Sequence, residues 1–459
     1  MQPSPSTAAS EPAVESRVPL GTILAYNAPP LGLGFMFFLV SLYMMKFSTD
    51  VLLMSPAAIG LIFGLSRIWD AISDPVAGYF SDRTNSRLGR RRPWMLAAAI
   101  PIAVSYVLMW NPPASLVGGP LIVWMAVAVF GFYSAMTIIV VPHSSLGAEL
   151  TQNYHERTRI FGFRHIFWGG GSLLSLAGMF LLIRSEAPRE TAFQITLGVS
   201  TATALLILFA VARLRERPEY QGRGSEHPYS AYRDVLRNPH ARKLLVTFLI
   251  ENIGVSSLAT MTPYVVHYIV KRPDLTPVFI ACYMIPSLLS VPLWIRVSRR
   301  FGKKPVWIFA MLLTGCSFGG MFFMQEGAVA LVAVLTTLAG IGGGCGPVIA
   351  PSVQADVIDY DEYTTGERKE GAYFASFNFM FKGSAGLTLM LTGFVLSLSG
   401  FVPNQEQTET VKLILRIQFA IFPLVCYAIG ALILSRFTLD EREHGRILEE
   451  ISAARREDP

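Results

Sequence analysis

Long apolar segments recur about twelve times along this chain of 459 residues, and they constrain its fold more than any other feature. Each is roughly 20 residues long, the length of an α-helix that crosses about 30 Å of hydrocarbon. Only 15% of the residues are charged, whereas soluble proteins usually carry about 25%. Since no water reaches the backbone inside a bilayer, these segments must be helical. The sequence therefore predicts an all-α membrane protein with twelve transmembrane helices.

The predicted helices fall into two halves of six. We expect them at residues 22–47, 57–81, 94–112, 120–146, 161–184, 191–213, 243–270, 276–298, 306–325, 328–352, 371–398 and 412–437. Similar basic turns precede the third helix, at 87–92, and the ninth helix, at 300–304, which indicates an internal repeat. The expected parts are a disordered tail at 1–20, an N-terminal half at 21–213, a central loop at 214–242, a C-terminal half at 243–437 and a second tail at 438–459.

Arg and Lys concentrate in alternate connections between the predicted helices. By the positive-inside rule these connections, both tails and the central loop are cytoplasmic. The same loops account for the net charge of +6, so the expected partners are a lipid bilayer and a small-molecule substrate, and not nucleic acid. The four cysteines all lie in apolar segments, and their spacing predicts neither a metal site nor a disulfide framework.

Three ionisable residues lie inside the second predicted helix. Arg67, Asp70 and Asp74 are spaced i, i+3 and i+7, so all three lie on one helix face. A charge at the bilayer centre costs about 2.5–3.5 kcal/mol, which means that this face points towards protein or water. A structural Arg67–Asp70 pair would leave Asp74 unexplained. The pattern predicts a site that handles a cation.

The segment 69–75, with the sequence WDAISDP, closely resembles the second-helix motif of the glycoside–pentoside–hexuronide cation symporters. These proteins are a branch of the major facilitator superfamily. The resemblance continues through the turn at 87–94, the segments 156–158 and 356–360, and Lys382. It implies the major facilitator fold, with two six-helix halves that expose a central site alternately to each side of the membrane. It also implies a monomeric transporter of the inner (plasma) membrane, without a cofactor or enzymatic activity.

The resemblance assigns the coupling cation to the second helix. Asp70 and Asp74 match the family's cation-binding carboxylates, Ser73 stands where the family has asparagine, and Thr137 matches a fourth-helix threonine. Two carboxylates with hydroxyls could hold sodium at Asp70 and Asp74, while a proton needs only one carboxylate. The missing asparagine oxygen favours a proton, and both cations remain candidates. Lys382 matches a family lysine near this site, and a buried lysine needs a carboxylate partner.

Further residues are assigned to the substrate and to gating. Either Arg164 or His165 matches a family arginine that contacts sugar, and the alternative is an arginine at the membrane interface. Arg67 is expected to act in coupling with the aspartates. The charged residues expected to form gating pairs, or only to set topology, are Arg87, Arg90, Arg91, Asp356, Asp359 and Arg368.

The predicted function is cation-coupled symport of a sugar, glycoside or sugar acid by alternating access. The family's acidic sugar-binding positions correspond to Gly34 and Val140, so the resemblance implies the fold and the coupling more strongly than the substrate. The remaining candidate residues of the substrate pocket are more often basic than acidic, which favours an anionic sugar such as a hexuronide. One alternative is a sodium-coupled lysophospholipid transporter, because a related branch shares the aspartates and the lysine. Another is a membrane sensor that transports nothing.

Overall fold

The computed structural model describes residues 17–150, 154–216, 235–365 and 370–439, with a few positions between 443 and 450. Within these ranges the long elements are helices and there is no strand. We number them α1 (Leu20–Asp50), α2 (Pro56–Arg83), α3 (Arg92–Trp110), α4 (Gly119–Glu149), α5 (Tyr154–Arg184), α6 (Pro188–Arg213), α7 (Pro239–Tyr268), α8 (Thr276–Leu289 and Val291–Phe301), α9 (Lys303–Gly320), α10 (Val329–Gly343 and Gly346–Thr365), α11 (Glu370–Leu398) and α12 (Glu409–Ser435).

These helices are those of a multi-pass membrane protein. In the part of the chain that the structure describes, ten are long and apolar enough to cross a bilayer, and α8 is an eleventh if its two segments, bent by 47°, form one span. The remaining helix is α2, which carries Arg67, Asp70 and Asp74. The predicted all-α membrane fold is confirmed, while the count of twelve spans depends on α2 and stays a prediction.

Two helices extend beyond their apolar segments. α5 begins at Tyr154, well before the predicted start at 161, and α10 ends at Thr365, well after the predicted end at 352. The added part of α10 contains Asp356, Asp359 and Asp361, which lower the local hydropathy without breaking the helix. α10 is interrupted between Gly343 and Gly346, within a glycine-rich part of the helix.

The two halves meet most extensively along α2 and α11. Glycines allow this approach: a Cβ on Gly386 would overlap the side chain of Arg67, and one on Gly393 would overlap the carbonyl oxygen of Pro56. Small residues at a membrane helix crossing let two backbones pack closely. The crossing therefore places the inner face of α11 directly against the ionisable face of α2.

Replacing Gly171 of α5 with alanine is expected to destabilise the protein by about 3 kcal/mol, because any side chain there overlaps the Leu31 carbonyl oxygen of α1. Gly169, two residues away, has no atom near its Cβ position, so Gly169→Ala is the matched control and should be tolerated. Melting temperatures of the two purified variants test this difference. Equal stability of both variants would contradict the observed α1–α5 crossing.

Candidate functional site

Four charged side chains meet where α2 crosses α11, and we call Arg67, Asp70, Asp74 and Lys382 the tetrad. Lys382 lies twelve residues after the start of α11, about 18 Å along the helix at 1.5 Å per residue. Asp70 lies thirteen residues before the end of α2, so it reaches a similar depth. The tetrad is therefore near the middle of the membrane span.

The tetrad joins the two halves through paired charges. Arg67 Nη1 donates to Asp70 Oδ2 at 3.0 Å, within α2. Lys382 Nζ donates to Asp74 Oδ2 at 2.5 Å and lies 3.9 Å from Asp70 Oδ2. Two cations and two carboxylates make the group neutral in total when all four are ionised. The attraction between these opposite charges offsets part of the desolvation cost of burying them within the membrane.

The two pairs of the tetrad differ in their access to solvent. The side chains of Arg67 and Asp70 are each 3% exposed, while those of Asp74 and Lys382 are 26% and 29% exposed. The Arg67 guanidinium also lies 3.8 Å from the ring centroid of Tyr133, a cation–π contact that holds it in place. The buried pair therefore supports the site, and the accessible pair can exchange ligands.

Oxygen atoms suited to a small cation surround Asp74. Thr137 Oγ1 donates to Asp74 Oδ1 at 2.8 Å, and Ser73 Oγ lies 3.5 Å from Thr137 Oγ1. Asp70 Oδ1 is buried and has no hydrogen-bond partner among the described residues. The structure thus brings together the four residues expected at the cation site, and Lys382 Nζ lies where a cation would meet them.

Arg164 lies on α5, away from the tetrad. It is half-buried and interacts electrostatically with Tyr26 of α1 and His143 of α4. No carboxylate among the described residues forms an ion pair with its guanidinium, whereas His165 next to it is exposed. His143 Nε2 is 2.7 Å from the Tyr26 carbonyl oxygen, and the two rings stack. His143 is therefore a satisfied structural group, and Arg164 is the better placed of the two predicted candidates.

One end of the molecule carries the basic turns, and we call it the basic end. Arg90 Nη2 donates to Glu149 Oε1 of α4 at 2.6 Å, and Arg91 donates to the same oxygen at 3.3 Å. In the second half, Lys303 Nζ donates to Asp356 Oδ2 of α10 at 2.6 Å. Each pair links the start of the third helix of a half to the fourth helix of that half. The sequence repeat therefore corresponds to a repeated contact.

Of the predicted gating residues, Arg90, Arg91 and Asp356 thus form pairs within one half. Arg87 is exposed, and Arg368 lies outside the described residues. Asp359 lies in the added part of α10, beyond the apolar segment.

The Glu216 carboxylate accepts three backbone N–H groups, from Arg90, Arg91 and Arg92, at 2.6–2.8 Å. This acidic residue fixes the turn because the first turn of a helix has unpaired N–H groups and a positive partial charge.

A second polar group joins the halves at the opposite end, and we call Lys46, Asp50, His267, Tyr268 and Asn404 the latch. The Lys46 ammonium pairs with the Asp50 carboxylate, and its Nζ is 2.7 Å from His267 Nδ1. Tyr268 donates its hydroxyl to Asp50 Oδ2 at 2.7 Å, and Asn404 Nδ2 donates to the Asp50 carbonyl oxygen at 2.6 Å. The side chains of Lys46 and Asp50 are only 6% and 8% exposed.

The positions of these contacts define the conformation. The hydrogen bonds and ion pairs described above that join the two halves lie at the tetrad and around the latch, where Thr49 Oγ1 also lies 2.9 Å from Tyr264 Oη. At the basic end the contacts described above remain within each half. The molecule is therefore closed at the latch end.

Sequence reasoning did not assign the latch. Lys46 and Asp50 are spaced i, i+4 at the end of an apolar segment, where charges usually face water. The sequence offered one indication: Lys46 lies at the end of the first predicted helix that should be outside, whereas most Arg and Lys residues lie in the cytoplasmic connections. His267 also lies at the corresponding end of α7.

The chain matches known membrane proteins over most of its length. A family model described as MFS/sugar transport protein matches residues 25–441. The uncharacterized symporter YnaJ of Bacillus subtilis (strain 168) is 28% identical over 418 residues, or 90% of each chain. The glucuronide carrier protein homolog of Escherichia coli (strain K12) is 25% identical over 444 residues, which cover 94% of this chain and 95% of the relative.

A crystal structure of a D-xylose-proton symporter has a similar arrangement of helices. The TM-score is 0.65 at 15% sequence identity, and the match covers 91% of this chain and 98% of the other. At this identity the likeness concerns the fold alone.

Proposed function

This chain belongs to the MFS/sugar transport protein family, and from that premise we propose that the tetrad couples cation binding to the movement of a sugar or sugar acid. The predicted major facilitator fold is confirmed, and the chain is a transporter rather than an enzyme. Its relatives are named symporters and carriers of sugars, so the predicted cation-coupled symport is confirmed as well. These relatives do not favour lysophospholipid transport.

The observation that carries the proposal is the position of Lys382 between the two carboxylates. In the state described here its ammonium neutralises Asp74 and approaches Asp70. A proton or sodium ion bound at Asp74 would replace this charge and release Lys382 from the α2–α11 crossing. The oxygens of Asp70, Ser73 and Thr137 would then lie beside the bound cation. Cation occupancy and the contact between the halves are coupled because both depend on the same carboxylate.

Arg164 supports an anionic substrate. A guanidinium within the membrane span is costly without an anionic partner, and the groups beside Arg164, the Phe161 ring at 5.9 Å and Tyr26, are neutral. Arg164 has no carboxylate partner among the described residues, and its fork suits the carboxylate of a sugar acid. The relative named glucuronide carrier protein homolog fits this inference. We therefore favour a glycoside of a hexuronic acid over a neutral sugar, with Arg164 as its carboxylate partner.

The two ends of the molecule differ as alternating access requires, because the halves are joined at the latch end. With the basic turns in the cytoplasm, as the positive-inside rule requires, the latch lies on the outer side and the closed state faces inward. Both termini are then cytoplasmic, and a monomer in the plasma membrane is sufficient for transport. Opening the latch while the basic ends of the two halves approach each other would give the outward-facing state.

Measuring the thermal stability of the purified protein with each member of a ligand panel tests the identity of the substrate and of the cation together. A glucuronide at about 100 times its dissociation constant should stabilise the protein by about 2.7 kcal/mol. Arg164→Gln should remove that response, while the exposed Glu190→Gln should retain it. A response that strengthens with sodium identifies the cation as sodium, and one that depends only on pH identifies a proton. Stabilisation by lysophospholipids alone, with none by sugars or uronides, would refute the proposal.

A further inference from the structure

Glu251 is an ionisable residue of the membrane interior that the tetrad does not use. It lies on α7 twelve residues after Pro239, about 18 Å along the helix at 1.5 Å per residue. This is the depth of Lys382 on α11. The residue is half-buried within the C-terminal half, so it shares the depth of the tetrad but not its contacts.

Neutral side chains from four other helices lie close enough to interact with the Glu251 carboxyl group. They are Tyr283 of α8, Trp307 of α9, Cys345 at the interruption of α10 and Tyr427 of α12. No Lys, Arg or His among the described residues forms an ion pair with Glu251. A carboxylate at this depth without a counter-charge is strongly disfavoured, so this environment favours the protonated acid.

Several polar atoms near Glu251 are buried and lack a hydrogen-bond partner among the described residues. They include Tyr427 Oη and Thr247 Oγ1, in side chains that are at most 1% exposed. Thr247 precedes Glu251 by one helical turn and so lies on the same face of α7. Buried polar groups are nearly always paired, which makes an unpaired group of this kind a sign of an incomplete site.

The interruption of α10 supplies an opposite influence on the same carboxyl group. A Cβ on Gly346 would lie 2.9 Å from Glu251 Oε1, so the missing side chain lets the carboxyl group lie close to the α10 backbone. Gly346 begins the second segment of α10, a helix of 20 residues whose N-terminus carries a positive partial charge. This helix end favours the ionised carboxylate. Different neighbours therefore stabilise the protonated and the ionised forms of the Glu251 carboxyl group.

From this arrangement we propose that Glu251 is a second proton-binding site, located in the C-terminal half and independent of the tetrad. The carboxylate gains a proton when the neutral cluster of α8, α9 and α12 encloses it. It loses the proton to water when the N-terminus of the second α10 segment faces it more closely. The half-buried position of Glu251 gives the proton a path to solvent.

Infrared spectroscopy of the purified protein tests this site without any substrate. The wild type should show the C=O stretching band of a protonated carboxylic acid, and the band should shift in D2O and disappear as the pH is raised. Glu251→Gln should remove the titrating band, whereas the double variant Asp70→Asn/Asp74→Asn should retain it. Glu190→Gln is the control for an exposed carboxylate on a membrane helix and should leave the band unchanged.

Trp307→Phe provides a second measurement in case Glu251→Gln does not fold. It removes the indole N–H beside the carboxyl group and should shift the band frequency without abolishing it. The proposal is overturned if Glu251→Gln retains the titrating band, or if the band persists at every pH. It is also overturned if folded Trp307→Phe leaves the frequency unchanged. Failure of these tests would leave the role of the tetrad unaffected.

Discussion

Replacing Asp74 with asparagine is expected to abolish concentrative transport. The change removes the accessible carboxylate of the tetrad and with it the group that exchanges Lys382 for a cation. Without coupling, a labelled substrate should equilibrate across the membrane and reach only the external concentration inside vesicles or cells. Uptake of labelled methyl β-glucuronide, measured with and without imposed sodium and proton gradients, provides the test. Glu190→Gln, which removes an exposed carboxylate of α6, should accumulate substrate like the wild type.

The same substitution should also destabilise the protein, because it leaves the Lys382 ammonium without its nearest counter-charge. Breaking one partner of a buried ion pair costs about 3–5 kcal/mol, and the partial exposure of both side chains places this case near or below the lower limit. The double variant Asp74→Asn/Lys382→Met removes both charges and should recover stability while remaining uncoupled. Substrate accumulation by a stable Asp74→Asn protein would contradict the proposed role of Asp74.

The carboxylate face of α2 could be predicted because its pattern is local. The spacing of Arg67, Asp70 and Asp74 fixes one helix face whatever surrounds the helix, and the structure places all three in the tetrad. Pairing with Lys382 joins residues 308 positions apart, so helical periodicity alone could not identify it. A lysine well inside an apolar segment nevertheless requires an anion, and the resemblance indicated which carboxylates were available.

The remaining features depend on tertiary packing that hydropathy does not encode. Lys46 and Asp50 are buried only because α7 and the loop containing Asn404 cover the end of α1. The added part of α10 continues as a helix after its hydropathy has fallen, so the fall in hydropathy marks the end of the apolar segment and not the end of the helix. The neutral surroundings of Glu251 come from five helices, and no one segment reveals them.

Replacing Asp50 with asparagine is expected to open the latch end. Asp50 neutralises the buried Lys46 ammonium in the N-terminal half and accepts the Tyr268 hydroxyl of the C-terminal half, so its charge stabilises only the closed arrangement. A loss of about 3 kcal/mol from the closed state would change the ratio of closed to open molecules by roughly 100-fold. The double variant Lys46→Met/Asp50→Asn removes the stranded charge and should partly restore closure.

Spin-label distances across the latch end measure this shift in population. Val117 and Phe323 are exposed at that end, one in each half, and labelled cysteines there should move apart in Asp50→Asn once the four native cysteines are replaced. Glu406→Gln is the matched control, because Glu406 pairs with Lys271 and Lys412 on the exposed surface of the C-terminal half and does not bridge the halves. The control should retain the wild-type distances, since exposed ion pairs contribute only about 0–1 kcal/mol. If the Asp50→Asn distances match the control, the latch does not hold the two halves together, and closure at this end must depend on the α2–α11 crossing and the tetrad.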